Sequence, residues 1–189
     1  MKLILNSRGL NTKTGTEQIG GVIKGNELKD KKIFICSYPE YEMDESIREN
    51  CIRLGFVEDN ILFSKNGVPR EAVSYVYVTE GNTFEILNYM RKQEFCTFII
   101  RACKAGSIYI GSSAGACVTG KDVKVALDFD TNYVGLQDFA GLHLIDGAVV
   151  PHYTESQIKQ YIARADYRLI SSYKTIYNVD NDNVLILNT

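Results

Sequence analysis

Short apolar segments separated by amphipathic ones restrict the fold of this chain more than any other feature. In most of these segments nearly every residue is apolar, whereas strands with one face in water alternate apolar and polar residues. Near-continuous apolar runs of this length are typical of strands that are buried on both faces of a parallel sheet. Six such segments are Lys2–Asn6, Lys32–Cys36, Asn60–Ser64, Ser74–Thr79, Ser107–Ile110 and Ala148–Val150.

The stretches between these segments carry helical spacing, and the alternation predicts an α/β three-layer sandwich with a mostly parallel sheet. Helices are predicted at Asp44–Leu54, after Asn82, at Phe98–Lys104 and from about Glu155 to Leu169. Near the end of the sequence, a closing antiparallel hairpin is predicted from Thr175–Val179 and Asn183–Leu187, which Asp180-Asn181-Asp182 separates. Sites in open sheets of this kind lie beyond the carboxyl ends of the strands, so we expect the functional residues directly after strands.

The composition is typical of one domain over residues 1–189 and excludes several other classes of protein. Of the 189 residues 45% are hydrophobic and 23% are charged, and every apolar run is far shorter than the roughly 20 residues of a membrane-spanning helix. A formal net charge of −2 gives no basic surface for nucleic acid. Five cysteines without a C-x-x-C pair favour reduced thiols and a cytoplasmic location. No metal-ligand spacing, P-loop or dinucleotide fingerprint is present, so no cofactor is expected.

A serine lies at a strand-to-helix turn. The predicted strand Ser107–Ile110 continues into Gly111-Ser112-Ser113-Ala114-Gly115-Ala116, a G-x-S-x-G pattern followed by small helix-forming residues. A nucleophile at the tip of such a turn needs the space that flanking glycines leave, and the Ala114 N–H at the start of the helix would point towards an oxyanion. Ser113 is therefore the predicted nucleophile, because Ser112 does not hold the central place of the pattern.

A serine nucleophile requires a base that takes its proton. The chain has two histidines, and His152 follows the predicted strand Ala148–Val150, whereas His143 lies in an apolar segment. His152 is therefore the predicted base.

The base in turn requires a third group that orients it. Asp128 and Asp130 lie between the serine and the histidine, and the pattern alone leaves both open; Asp138 and Asp146 lie in loop-like contexts and fit less well. The order Ser, Asp, His is also that of α/β-hydrolases, but those proteins place whole strand–helix units between the serine and the acid. Here the gap has room only for a short helix and a turn, so a different fold is expected.

Three motifs together resemble one family of serine peptidases. Gly81-Asn82-Thr83-Phe84, Gly111–Ala116 and Pro151-His152-Tyr153-Thr154, in this order, are similar to the dipeptidase E (α-aspartyl dipeptidase) and cyanophycinase family, and the resemblance covers nearly the whole chain. It implies a flavodoxin-like, class I glutamine-amidotransferase-like sheet. It also implies hydrolysis of peptide bonds near the N-terminus of small acidic substrates, without a metal or organic cofactor.

The resemblance also implies roles for individual residues. Ser113 takes the place of the nucleophile, His152 that of the base and Asp128 that of the acid. The oxyanion donors are the N–H groups of Ala114 and Gly81. Gly81 follows a predicted strand, so the sheet-edge argument independently places it beside Ser113.

Two departures from the family concern the substrate. Relatives usually carry Gly-Gly-Gly-Asn-Thr where this chain has Thr79-Glu80-Gly81-Asn82-Thr83, so a carboxylate would repel an acidic substrate, attract an ammonium group or point into solvent. Aspartyl dipeptidases also use an arginine downstream of the histidine, whereas here the first one is Arg164, about 13 Å along the helix from Glu155. Strict Asp-X specificity is therefore not expected. The candidate substrate-binding residues are Glu80, Asn82 and Gln157.

The sequence thus favours a serine exopeptidase, dipeptidase-like, that acts on a small peptide through an acyl-enzyme. An esterase or amidase with the same triad, or a non-catalytic binding homologue, are the alternatives. No nucleic acid or membrane partner is expected, and a homodimer is left open. Cys36 and Cys117 are predicted to be buried structural thiols.

Overall fold

Strands and helices alternate through most of the chain. In a computed structural model, which describes residues 1–24 and 27–189, the strands are β1 Lys2–Asn6, β2 Ile33–Cys36, β3 Ile61–Phe63, β4 Tyr75–Val78, β5 Ile108–Ser112, β6 Ala148–Pro151, β7 Ile176–Val179 and β8 Val184–Asn188. The helices are α1 Lys13–Ile23, α2 Asp44–Leu54, α3 Thr83–Lys92, α4 Phe95–Lys104, α5 Ala114–Cys117, α6 Glu155–Arg164 and α7 Tyr167–Ile170. None of the helices in the described ranges is long and apolar enough to cross a membrane.

Six strands form the central sheet in the order β3-β2-β4-β5-β1-β8. The first five strands in this order run parallel to one another, and β8 runs antiparallel to β1 with Leu3 opposite Leu187. The predicted three-layer α/β class, with a mostly parallel sheet and an antiparallel C-terminal strand, is confirmed.

The partner of the last strand differs from the prediction. β7 and β8 do not form a hairpin, because β7 pairs in parallel with β6 in a separate two-stranded sheet, with Pro151 opposite Val179. The chain turns from one sheet to the other at Asp180, whose side chain accepts the N–H groups of Asp182 and Asn183 at 2.9 and 2.8 Å. As a result, β6 and β7 end side by side.

The apolar strands are buried on both faces, as their composition predicts. In β2, Phe34 and Cys36 pack into the core under α3 and α4, whereas Ile33 and Ile35 pack into the core under α1 and α2. An apolar layer therefore lies on each face of the sheet, between the strands and the helices that cover them. The polar residues that follow the parallel strands lie at the carboxyl edge of the sheet.

The helix predicted from about Glu155 to Leu169 is interrupted. α6 ends at Arg164, Ala165 is extended with φ −67° and ψ 158°, and α7 begins after Asp166. The Asp166 side chain accepts the Arg168 N–H at 2.7 Å, which caps a new helix instead of continuing the old one. The other predicted helices are present, and α4 begins at Phe95, earlier than predicted.

Candidate active site

The end of β5 holds Ser113 in a strained conformation. Ser113 lies between β5 and α5 with φ 50° and ψ −109°, a region of backbone space that residues with side chains seldom occupy. Its N–H donates to the carbonyl of Asn6 at 2.9 Å, so the neighbouring strand β1 fixes the turn. Strain of this kind persists where the surrounding structure imposes it, and it is concentrated at functional sites.

The two glycines of the turn are required by close packing, as the motif predicts. A Cβ atom at Gly111 would lie 2.4 Å from the carbonyl oxygen of Gly115. A Cβ atom at Gly115 would lie 2.0 Å from the carbonyl oxygen of Val78 in β4. Both obstacles are backbone atoms, so neither can be relieved by a change of side-chain rotamer.

The end of β6 brings His152 to this turn. Nε2 of His152 lies 2.8 Å from Oγ of Ser113. The backbone N–H of His152 donates to the carbonyl of Val179 at 2.7 Å and to Oγ of Ser7 at 2.9 Å. Besides β6, the end of β7 and the residue after β1 therefore position the histidine. Its φ of 69° is a second strained backbone angle at the site. The structure thus brings together the two side chains that the sequence motifs single out.

The other ring nitrogen of His152 contacts a residue that the sequence analysis missed. Nδ1 lies 2.8 Å from Oδ1 of Asn181, which lies two residues after the end of β7. The rule that functional residues follow strands also applies to Asp180-Asn181-Asp182, so it could have pointed to Asn181. The pattern of two apolar segments around this triplet instead predicts the turn of a hairpin.

The structure places the two candidate acids elsewhere. Asp128 ends a 3₁₀ helix at Lys124–Asp128 and is exposed. Burial raises the pKa of Tyr161, and the nearby Asp128 carboxylate raises it further. Asp130 accepts the backbone N–H of Thr83 at 2.8 Å, at the start of α3. Asn181 therefore takes the position beside His152 where Asp128 was expected.

In the described residues, the remaining Asp and His candidates make no contact with Ser113 or His152. Asp138 lies 3.3 Å from Arg91, and Asp146 lies 3.8 Å from Lys174. His143 is exposed, with φ 54°.

The predicted oxyanion donors lie on adjacent turns. Gly81 follows β4 and has φ 136°. A Cβ atom added at Gly81 would lie 2.1 Å from the ring of Tyr41. The N–H of Gly115 donates to the carbonyl of Thr79 at 3.0 Å and joins the turn before Gly81 to the turn that holds Ala114. In the part of the chain that the structure describes, the N–H groups of Ala114 and Gly81 donate to no protein acceptor, so both are available to a substrate.

Glu80 turns into the protein. Its Oε2 accepts the hydroxyl of Tyr77 at 2.9 Å, and its carboxylate lies against the backbone of Gly9, where an added Cβ would be 1.8 Å away. Among the described residues, its buried Oε1 has no hydrogen-bond partner. Burial raises the pKa of Glu80. The carboxylate thus lies in a buried contact rather than in solvent.

The other two candidate substrate-binding residues cap helices. Oδ1 of Asn82 accepts the N–H groups of Phe84 and Glu85 at the start of α3, at 3.0 and 3.2 Å. Oε1 of Gln157 accepts the N–H of Thr154 at 2.8 Å in the capping box of α6. Both side chains therefore have structural partners.

Residues 1–24 and 27–189 contain no group of three or more His, Cys, Asp or Glu side chains that could hold a metal ion. A cavity of about 1030 Å³ lies at the opposite edge of the sheet, at the start of β4 and β5, and is remote from Ser113. The thiols of Cys36 and Cys117 are buried, and burial raises the pKa of Cys117 to about 12, so neither is a ready nucleophile.

Three curated peptidases are similar to this chain over part of their length. It is 31% identical over 118 residues to the uncharacterized peptidase PM1590 of Pasteurella multocida, covering 60% of this chain and 55% of that protein. It is 29% identical over 113 residues to the uncharacterized peptidase Lmo0363 of Listeria monocytogenes, covering 54% and 55%. Peptidase E of Shewanella denitrificans is 30% identical over 92 residues, covering 47% and 38%. The matched region spans about half the length, or less, of these relatives.

Two solved structures share the fold. A protein described as a candidate peptidase E from Listeria monocytogenes EGD-e has a TM-score of 0.68 and 22% identity, over 100% of this chain and 98% of that one. A peptidase from an acI-B1 Actinobacterium has a TM-score of 0.67 and 17% identity, over 99% and 83%. At this level of identity the likeness shows the architecture.

A family model connects the fold to the motifs. The model of peptidase family S51 matches residues 65–189, which include the turn at Gly81, the turn at Ser113, His152 and Asn181. The resemblance that the three motifs predict is confirmed at the level of the family: this chain belongs to peptidase family S51.

Proposed function

We propose that this chain is a serine peptidase that hydrolyses short peptides through an acyl-enzyme. The observation that carries the proposal is the 2.8 Å contact between Oγ of Ser113 and Nε2 of His152, at a strained strand-to-helix turn in a chain of family S51. Names of relatives such as peptidase E support a peptide substrate.

In the first half of the reaction, His152 takes the proton of Ser113 as Oγ attacks the carbonyl carbon of the scissile bond. The developing oxyanion lies between the N–H groups of Ala114 and Gly81, and each such donor contributes about 3 kcal/mol in the transition state. His152 then gives its proton to the leaving amine, which departs and leaves an acyl-enzyme ester on Ser113.

In the second half, His152 takes a proton from water, and the hydroxide attacks the ester carbonyl. Collapse of this intermediate releases the acid product and returns the proton to Ser113. The exposed position of His152 allows water to reach the ester directly. Apart from the substrate and water, these steps use only side chains and backbone groups of this chain.

A substrate preference broader than Asp-X is part of the proposal. The first arginine after His152 is Arg164, at the far end of α6, so it is poorly placed to hold a side chain next to the scissile bond. Peptides with neutral and acidic N-terminal residues are therefore both expected to be substrates.

The test is the Ser113→Ala variant, assayed across a library of dipeptides and short peptides. We expect the loss of all hydrolysis above background, an unchanged thermal midpoint, and no labelling by a fluorophosphonate that labels the wild type. Turnover of peptides by this variant at the wild-type rate would remove Ser113 from the mechanism. Hydrolysis of p-nitrophenyl esters without any peptide hydrolysis by the wild type would assign the chain to esterases instead.

A further inference from the structure

The ring of Tyr41 packs against the glycine that supplies the second proposed oxyanion donor. We propose that Tyr41 is a positioning residue that holds the turn at Gly81, and that Glu85 fixes the direction of the Tyr41 hydroxyl. This inference rests on the proposed function, because it concerns the same hydrolytic site. Tyr41 lies in a part of the chain that none of the three sequence motifs includes.

Tyr41 reaches the turn at Gly81 from the neighbouring strand. β2 and β4 are adjacent and parallel, so the segments that follow them meet at the carboxyl edge of the sheet. The 3₁₀ helix Pro39–Tyr41 follows β2, and Gly81 follows β4. β5, which leads to Ser113, borders β4 on its other side. Tyr41 therefore approaches Gly81 from the strand on the side away from the nucleophile.

Two contacts hold the turn against Tyr41. Its hydroxyl accepts the backbone N–H of Asn82 at 2.9 Å. A Cβ atom added at Gly81 would lie 2.1, 2.8 and 2.9 Å from three carbons of the Tyr41 ring, so the ring fills the place of a side chain there. The angle φ of Gly81, 136°, sets the direction of its N–H relative to Asn82. Fixing Asn82 and the Cα of Gly81 therefore fixes the oxyanion donor.

Glu85 determines where the Tyr41 hydroxyl points. A tyrosine hydroxyl donates one hydrogen bond and can also accept. It donates to Oε2 of Glu85 in the first turn of α3, so its lone pairs are left for the N–H of Asn82. Burial raises the pKa of Tyr41, and the hydrogen bond to Glu85 raises it further. The hydroxyl thus keeps its proton at neutral pH and acts as an acceptor of fixed orientation.

The flanking N–H groups of the turn also have acceptors. The N–H of Thr79 donates to the carbonyl of Cys36 at 3.2 Å, and the N–H of Thr83 donates to Asp130 at 2.8 Å. The N–H of Gly81 has no acceptor among the described residues. These contacts fix the backbone around Gly81 and leave its N–H to a substrate.

The first experiment compares Tyr41→Phe with Tyr167→Phe in peptide hydrolysis. Y41F keeps the ring on Gly81 and its edge-on contact with Tyr38, and it removes the acceptor of the Asn82 N–H. We expect kcat to fall about tenfold or more with KM within about threefold, because an oxyanion donor acts in the transition state.

Tyr167 provides the matched control, since it is 82% exposed in α7. Y167F makes the same chemical change and should retain the wild-type kcat. A wild-type kcat in Y41F would overturn the proposal. A higher KM at an unchanged kcat in Y41F would also overturn it and would assign Tyr41 to substrate binding.

The second experiment measures inhibition by a peptide aldehyde, which reports the oxyanion site without turnover. Oγ of Ser113 adds to the aldehyde carbon, the carbonyl π bond becomes an oxyanion, and the serine proton goes to His152. The inhibition constant in Y41F is expected to rise about tenfold or more, in parallel with the loss in kcat. An inhibition constant equal to that of the wild type would show that the oxyanion site does not depend on Tyr41.

The third experiment tests Glu85 with two variants. Glu85→Gln keeps an oxygen that accepts the Tyr41 hydroxyl, whereas Glu85→Ala leaves this hydroxyl free to rotate. We therefore expect kcat to fall in E85A at an unchanged KM and to stay at the wild-type value in E85Q. A wild-type kcat in E85A would show that Glu85 does not act through Tyr41.

The fourth experiment reads the contact without any hydrolysis, by amide hydrogen exchange at Asn82. Its N–H loses an acceptor in Y41F, so exchange should be about tenfold or more faster than in the wild type and Y167F, while Val76 in β4 is unchanged. A wild-type protein that shows this difference but cleaves no peptide would refute the proposed function and leave the positioning of the turn intact. Equal exchange at Asn82 in the wild type and Y41F would refute the positioning.

Discussion

At the scale of single residues, the site is built from groups that differ from what the motifs alone suggest. Nδ1 of His152 contacts an amide, and the carboxylate of Glu80 is enclosed beside Tyr77 and Gly9. A buried carboxylate with one unpaired oxygen is costly in its charged form. Its cost is therefore expected to appear in the pH dependence of folding.

Glu80→Gln tests this cost. Burial raises the pKa of Glu80 in the folded state, so the stability linked to this group is present below its ordinary value of 4.5 and is lost as the pH rises through the raised pKa. The free energy of unfolding of E80Q, relative to the wild type, should therefore increase between pH 4.5 and pH 8, by on the order of 1 kcal/mol. Urea unfolding at the two pH values measures it.

The control for this prediction is Glu155→Gln. Lys159 lowers the pKa of Glu155 on the exposed start of α6, so the relative stability of this variant should change with pH in the opposite direction. A relative stability of E80Q that is the same at both pH values would show that the Glu80 carboxylate is not penalised by burial.

At the scale of elements, the site depends on how closely α5 approaches the strands beneath it. Gly115 meets the carbonyl of Val78 in β4, and its N–H binds the carbonyl of Thr79. Because this contact joins the turn of Ala114 to the turn of Gly81, the packing of α5 is coupled to the separation of the two proposed oxyanion donors.

Gly115→Ala should therefore impair both stability and activity. The added methyl group would push α5 away from β4, which costs about 1–3 kcal/mol, and would separate the two oxyanion donors. Thermal unfolding and kcat measure the two effects.

Gly21→Ala is the matched control for this change. Gly21 lies in α1 with no atom within 4 Å of its added Cβ, so the same substitution should leave kcat unchanged and stabilise the helix by about 0.5–1 kcal/mol. Equal stability of both variants would mean that the contact at Gly115 is relaxed in solution.

At the scale of the whole molecule, the sequence predicts what is encoded locally. The buried strands, the turn at Ser113 and the position of His152 after β6 all follow from patterns within a few residues, and the fold class follows from their alternation. The contact between His152 and Asn181 depends instead on which strands pair. Two apolar segments separated by a polar triplet are compatible with a hairpin, and no local signal shows that β7 joins β6 while β8 joins β1.

Asp128 illustrates the same limit. Its spacing from Ser113 resembles that of the family, but whether a residue on a short 3₁₀ helix reaches the histidine depends on the path of the intervening chain. In the structure this path leaves Asp128 exposed and close to Tyr161, whose pKa is raised by burial and further by the Asp128 carboxylate. Local motifs therefore identify the pair Ser113 and His152, and only the tertiary structure shows which residue contacts the other ring nitrogen of His152.

The pairing of β8 with β1 also affects when the groups around Ser113 come together during folding. Lys2 lies opposite Asn188, so this pairing joins segments that are far apart in the sequence, and such contacts form slowly. The turn that carries Asn181 leads directly into β8. If β8 docks after the turn at Ser113 has formed, the contact between His152 and Asn181 is therefore expected to form late in folding.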